Sequence, residues 1–153
     1  MASWNQIEHE CADFAAAVRA RFGSGTNKTI ATLRKDGSPR ISGIELSFEP
    51  GRITVGMMAG SLKLADVRRD PRVAVHSPTL EPPVGQPAAW VGEAKLAGRL
   101  VATEAPRDTP FPDAGFFVLD VTEAVHVRVD PTASFLLIES WNPQRGYRII
   151  ERA

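Results

Sequence analysis

Polar and apolar positions along this 153-residue chain change period once, near residue 25. Before that point Trp4, Ile7, Cys11, Phe14, Val18 and Phe22 recur at three- and four-residue spacing, which places them on one stripe of an amphipathic helix over 3–22. Ser3 with Gln6 fits a capping box, and Gly23-Ser24-Gly25 ends the segment. Each buried Phe, Ile or Val contributes about 1.5–3 kcal/mol, so this helix is expected to dock on the rest of the chain as a lid or brace. From residue 28 the period is that of strands. Runs at 29–34, 40–48, 52–57 and 72–76 are punctuated by Asp36-Gly37, a strong hairpin signal, and by Pro50-Gly51. Residues 61–70 form the single internal helix expected, with Ser61 as N-cap and Pro71 past its end.

Seven of the twelve prolines lie between 78 and 112, in two clusters that cannot donate to a sheet ladder and read as loops. The stiff 77–87 stretch is a candidate pocket mouth, with Trp90 beside it. Between the clusters, 89–103 alternates as one long strand, with Gly92 and Gly98 as bulges or bends. Runs at 116–121, 124–129, 135–139 and 147–151 complete about eight strands. The pattern predicts a mainly β protein, a barrel with two helical attachments, in one domain: a helix over 1–25 and a barrel over 28–153.

Lysine plus arginine and aspartate plus glutamate number 18 each, so the formal charge is zero. No global field is available for nucleic acid or an anionic membrane. Arg68, Arg69 and Arg72 form a local basic cluster that Asp66 and Asp70 dilute into a solvated face. The lone Cys11 makes no internal disulfide, and His9, His76 and His126 lack metal-ligand spacing. No apolar run approaches a membrane span and the start lacks a signal-peptide pattern, so a cytoplasmic protein is expected. No nucleophile elbow, triad or acid–base pair stands out.

The chemistry-bearing stretch is Gly60-Ser61-Leu62-Lys63: a small-residue turn delivering a hydroxyl and a lysine to a helix start, whose free N–H groups and dipole favour an anion. It follows Ala31-Thr32-Leu33-Arg34-Lys35-Asp36-Gly37-Ser38-Pro39-Arg40-Ile41-Ser42 and precedes Arg68-Arg69-Asp70-Pro71-Arg72-Val73-Ala74-Val75. Together these residues resemble the pyridoxamine 5′-phosphate oxidase-like superfamily of flavin and deazaflavin oxidoreductases, strongly over 28–76 and more weakly to the end.

That resemblance implies an FMN-binding split β-barrel, a homodimer with cofactor sites at the subunit interface. The cofactor it implies is FMN or a deazaflavin coenzyme, with haem in some relatives. Ser61 and Lys63 match the family's Ser-Arg-Lys phosphate turn, whereas Leu62 stands at the arginine position, and Ser42 at that of a second phosphate-binding arginine. Each lost charged hydrogen bond is worth about 1.5–3 kcal/mol, so a relative of the oxidase is expected rather than the oxidase itself. The resemblance places Gly60, Ser61 and Lys63 at the phosphate and Gly56, Met57 and Met58 along the ring. Thr32, Arg40 and Ser42 sit on neighbouring strands, with Arg40 and Ser42 sharing a face. Trp141 and Arg145, in a turn near the C-terminus, are candidates to reach a ring or an anion across a dimer interface; a hairpin with a packed tryptophan is the other reading. A redox enzyme acting on a small organic substrate is the leading expectation, and a non-catalytic cofactor or haem carrier the alternative.

Overall fold

A tight turn at Asp36-Gly37 sets the first strand pair. Gly37 takes φ 85°, a left-handed conformation that costs glycine little, and the Asp36 carboxylate accepts a 2.9 Å hydrogen bond from the Ser38 amide. The two strands it joins are β1 (Lys28–Leu33) and β2 (Pro39–Ile44) in a computed structural model that describes residues 4–153. Seven further strands follow: β3 (Leu46–Glu49), β4 (Arg52–Met57), β5 (Arg72–His76), β6 (Glu93–Ala102), β7 (Gly115–Val129), β8 (Leu136–Asn142) and β9 (Gly146–Arg152). All pairings are antiparallel, in the order β2-β1-β5-β6-β7-β4-β3, with β8 and β9 continuing from β7. The sheet curls into a split barrel without closing, because β2 and β3 do not pair with each other.

Strand β7 makes the split possible. Its first residues pair with β4, its last with β8, and β6 runs along most of its length. Alternate residues of β4, β6 and β7 point inward: Ile53, Val55 and Met57; Ala94, Leu96 and Leu100; Phe117, Leu119 and Val121. Onto this interior pack Trp4, Ile7, Phe14, Val18 and Phe22, all nearly inaccessible to solvent.

The expected single helix over 3–22 is instead two, α1 (Trp4–Glu10) and α2 (Ala12–Phe22), broken at Cys11 where φ is −150° and ψ is 72°. The break follows from two separate docking surfaces. α1 packs by β4, with its Asn5 amide 3.1 Å from the Gly51 carbonyl, while α2 lies against β6 and β7. Ser3, half of the expected capping box, lies outside the described residues. The run at 40–48 is likewise divided, because the chain changes partner at Glu45: β2 pairs with β1, β3 with β4. The runs at 116–121 and 124–129 are one strand, held continuous by a bulge opposite Ala97 and Gly98. The 89–103 strand begins later, at Glu93, after a 3-10 turn over Pro87–Ala89. The internal helix α3 (Leu62–Arg69) starts at its Ser61 cap, whose Oγ accepts a 3.3 Å bond from the Leu64 amide.

Gly98 is required at the bulge, since a Cβ there would collide with the Asp120 carbonyl oxygen. Gly98→Ala is expected to cost about 1–3 kcal/mol, as other overpacked sites do, lowering the urea midpoint. An unchanged midpoint would show that the bulge tolerates a side chain.

Candidate functional site

Helix α3 is fastened to the sheet by one carboxylate. Asp66, on its inner face and 3 % exposed, accepts hydrogen bonds from Thr32 Oγ1 on β1 (2.7 Å) and Arg40 Nε on β2 (2.8 Å). A third comes from Arg69 one turn along (3.0 Å), whose guanidinium also reaches the Leu33 carbonyl (2.7 Å). Burial by itself would raise the Asp66 pKa. The hydrogen bonds from Arg40, Thr32 and Arg69 outweigh it and hold the carboxyl at about 2. Thr32 Oγ1 and Arg40 Nε are therefore spent on the scaffold.

What this fastening positions is the start of α3. Gly60 takes φ 77°, allowing the turn in which the Ser61 amide bonds the Met58 carbonyl at 3.1 Å. Leu64 and Ala65 donate to Ser61, so the amides that open the helix, Leu62 and Lys63, remain available to a ligand. The Lys63 ammonium lies 3.1 Å from the Gly43 carbonyl, and among the described residues no carboxylate pairs with it. Beside it opens a cavity of about 450 Å³ walled by Gly43, Gly56, Met57, Met58, Phe111 and Phe116, with Glu45 and Thr109 at its edge. Met58 and Phe111 of this cavity, Ile41 on β2 and Leu62 at the start of α3 leave large apolar surfaces exposed, between 54 and 75 % of each residue.

The structure thus brings Lys63, Met57 and Met58 to one cavity, with Gly60 and Ser61 shaping the turn behind it. Thr32, Arg40 and Ser42 lie on the adjoining strands but do not line it. Trp141 is buried, its indole N–H donating to Glu10 at 2.8 Å, and Arg145 bonds the Ser140 hydroxyl at 3.0 Å within the β8–β9 hairpin. Neither lines the cavity of its own chain. Three wall residues, Glu45, Phe111 and Phe116, carried no signal in the sequence. Phe111 belongs to a proline-rich loop, and only the fold shows that this loop covers the end of β4.

His76 and His126 are engaged elsewhere, with Glu93 at 3.1 Å and Glu139 at 2.7 Å. Glu139 also accepts from Tyr147 at 2.8 Å; burial and this bond together push the tyrosine up to about 12. Trp90 closes the 77–91 loop by donating to the Leu80 carbonyl at 2.8 Å. Among the described residues no cluster of His, Cys, Asp or Glu could hold a metal, and no helix is long and apolar enough to cross a membrane.

No protein-family profile matches the chain, and no curated protein resembles it in sequence. Solved structures do resemble it in shape. A pyridoxamine 5′-phosphate oxidase-related, FMN-binding protein from Nostoc punctiforme PCC 73102 superposes with a TM-score of 0.64 at 11 % identity, over 94 % of this chain and 96 % of that one. A haem-binding protein from Mycobacterium smegmatis gives 0.55 at 16 % identity, over 90 % and 88 %. Atu2129 from Agrobacterium tumefaciens str. C58, of unknown function, gives 0.55 at 17 %, over 71 % of this chain and 53 % of that one, so the match spans about half of that protein.

Two measurements follow from the Asp66 geometry. Asp66→Asn is expected to cost about 3–5 kcal/mol, because it leaves Arg40 without its buried counter-charge. Since the folded pKa lies below the usual 3.8, the carboxylate's contribution is complete above that value and is lost as pH falls toward about 2. Acid unfolding of Asp66→Asn should therefore be shallower across this window than that of the parent. Parallel acid limbs would contradict the assignment. The chain has the fold of the FMN-binding split barrels.

Proposed function

We propose that the protein is a flavin- or deazaflavin-dependent oxidoreductase of a small organic substrate. The observation that carries this reading is Lys63: an ammonium with no carboxylate partner among the described residues, beside two available helix-start amides, at the mouth of a largely apolar cavity. A phosphate satisfies the first part and a flat ring system the second. The residues present fit such a group. Lys63 supplies the counter-charge, and the Leu62 and Lys63 amides together with the Ser61 hydroxyl supply hydrogen-bond donors. Gly56–Met58 backbone and the Met58, Phe111 and Phe116 side chains supply the walls for a ring.

The bound cofactor would accept and return a hydride. The chain's own part is to position the ring, neutralise the phosphate and exclude water. A single cation, with Leu62 where a second would stand, gives a weaker phosphate grip than an arginine–lysine pair. This supports a relative of pyridoxamine 5′-phosphate oxidase with a different reaction. The exposed apolar side chains Ile41, Met58, Leu62 and Phe111 support a homodimer that buries the cofactor between subunits.

Haem carriage is the second reading, suggested by the Mycobacterium smegmatis neighbour. The cavity wall contains methionines but no histidine, cysteine or tyrosine to serve as the stronger axial ligand, which favours the flavin. Titration of the purified protein with FMN, a deazaflavin coenzyme and haem separates the three. FMN or the deazaflavin is expected to bind, and Lys63→Ala to weaken that binding at least about tenfold through the lost charged contact. Binding of haem alone, or unchanged affinity in the variant, would overturn the reading.

A further inference from the structure

Two cavities meet on the outward faces of β4 and β7. The Lys63 cavity adjoins a second of about 300 Å³, walled by Ser47, Thr54, Thr103 and Pro106, and the two share Glu45, Gly56 and Phe116. Of the shared residues only Phe116 carries a large apolar side chain, so its ring is the partition between them.

Register explains where that ring rests. Gly56 on β4 lies directly opposite Phe116 on β7, and on the other flank the Thr103 amide donates to the Phe116 carbonyl at 2.9 Å. Side chains alternate along β7: Phe117 turns into the core, while Phe116 stands outward and partly exposed. A Cβ at position 56 would sit 3.5 Å from the ring, an ordinary contact, so the glycine leaves open the space in which a cross-strand side chain would brace it. Among the described residues the close ring pairs are Trp4–Phe48, Phe14–Tyr147 and Phe22–Phe48, and none of them holds Phe116. A partly exposed ring without such a brace changes rotamer readily.

Charge decides what can pass this ring. Arg52, the one cation lining the second cavity, is paired with Glu49 at 2.7 Å. A ligand that places its anion at Lys63 therefore finds no second counter-charge beyond Phe116, and an uncharged end is what the second cavity can take. We propose that Phe116 determines the length of ligand the groove accepts. In its present position it ends the Lys63 cavity; swung aside, it admits the uncharged, apolar end of a longer anionic molecule. This rests on the anion site of the reading above, but not on the anion belonging to a flavin.

Calorimetric titration with phenyl phosphate, biphenyl-4-yl phosphate and FMN tests it. In Phe116→Ala the affinity ratio of biphenyl-4-yl to phenyl phosphate is expected to rise at least about fivefold over the parent, because the second ring gains room to bury its apolar area. Loss of an ordinary wall would instead weaken both ligands. Gly56→Ala, whose methyl braces the ring, should lower the ratio below the parent's, and it carries the test alone if the urea midpoint shows that Phe116→Ala does not fold. A ratio not raised in a folded Phe116→Ala, or not lowered in Gly56→Ala, would overturn the partition. Failure of both phosphates to bind would overturn it together with the Lys63 anion site. A responsive ratio without FMN uptake keeps the partition and removes the flavin reading. FMN uptake with an unresponsive ratio does the reverse.

Discussion

The arrangement depends on the carboxylate of Asp66. It joins β1, β2 and α3, three elements that meet nowhere else through so many polar contacts, and it does so from a nearly water-free position. A buried charge is tolerated only when it is paired and hydrogen-bonded, and here a hydroxyl and two guanidinium groups do both. The consequence reaches the first turn of the helix. With the body of α3 pinned, Gly60 and Ser61 must bend the chain out of β4 at one angle, and that angle brings Lys63 over the Gly43 carbonyl.

The groove that results sets an ammonium beside a wall of bare glycine backbone and aromatic and thioether surfaces, with Glu45 shared between it and the neighbouring cavity. Strand alternation separates this wall from the core: outward-facing Gly56 lines the groove, while inward-facing Ile53 and Val55 of β4 are buried. Such a site has no need of an acid–base dyad in its own chain if a bound coenzyme carries the electrons.

Local signals in the sequence were faithful where local physics decided the outcome. Asp36-Gly37, Pro50-Gly51 and Ser61…Pro71 mark the first hairpin, the β3–β4 turn and α3, because a positive φ, a cap or a missing amide acts within a few residues. The pattern misled where distant partners decided. Polar–apolar alternation runs from Ile44 through Glu45 to Phe48, so nothing at Glu45 itself announces the change of partner that divides β2 from β3. The apolar stripe of the first helix likewise passes through Cys11, where the chain bends to reach two surfaces. Thr32 and Arg40 read as ligand candidates because Asp66, which holds them, lies 34 and 26 residues away. Lys63 was legible from its place at a helix start; the phenyl rings around it were not, since only the assembled sheet brings them there.

The connection between β6 and β7, residues 103–114, forms a wall of both cavities, through Glu104 and Pro106 on one side and Thr109 and Phe111 on the other. It is the part of the groove that contributes least to the core. Insertions, deletions or exchanges in this stretch can reshape what the groove accepts while the strand pairing beneath survives. A change in what the groove accepts can thus be confined to a dozen surface residues, stiffened by Pro106, Pro110 and Pro112.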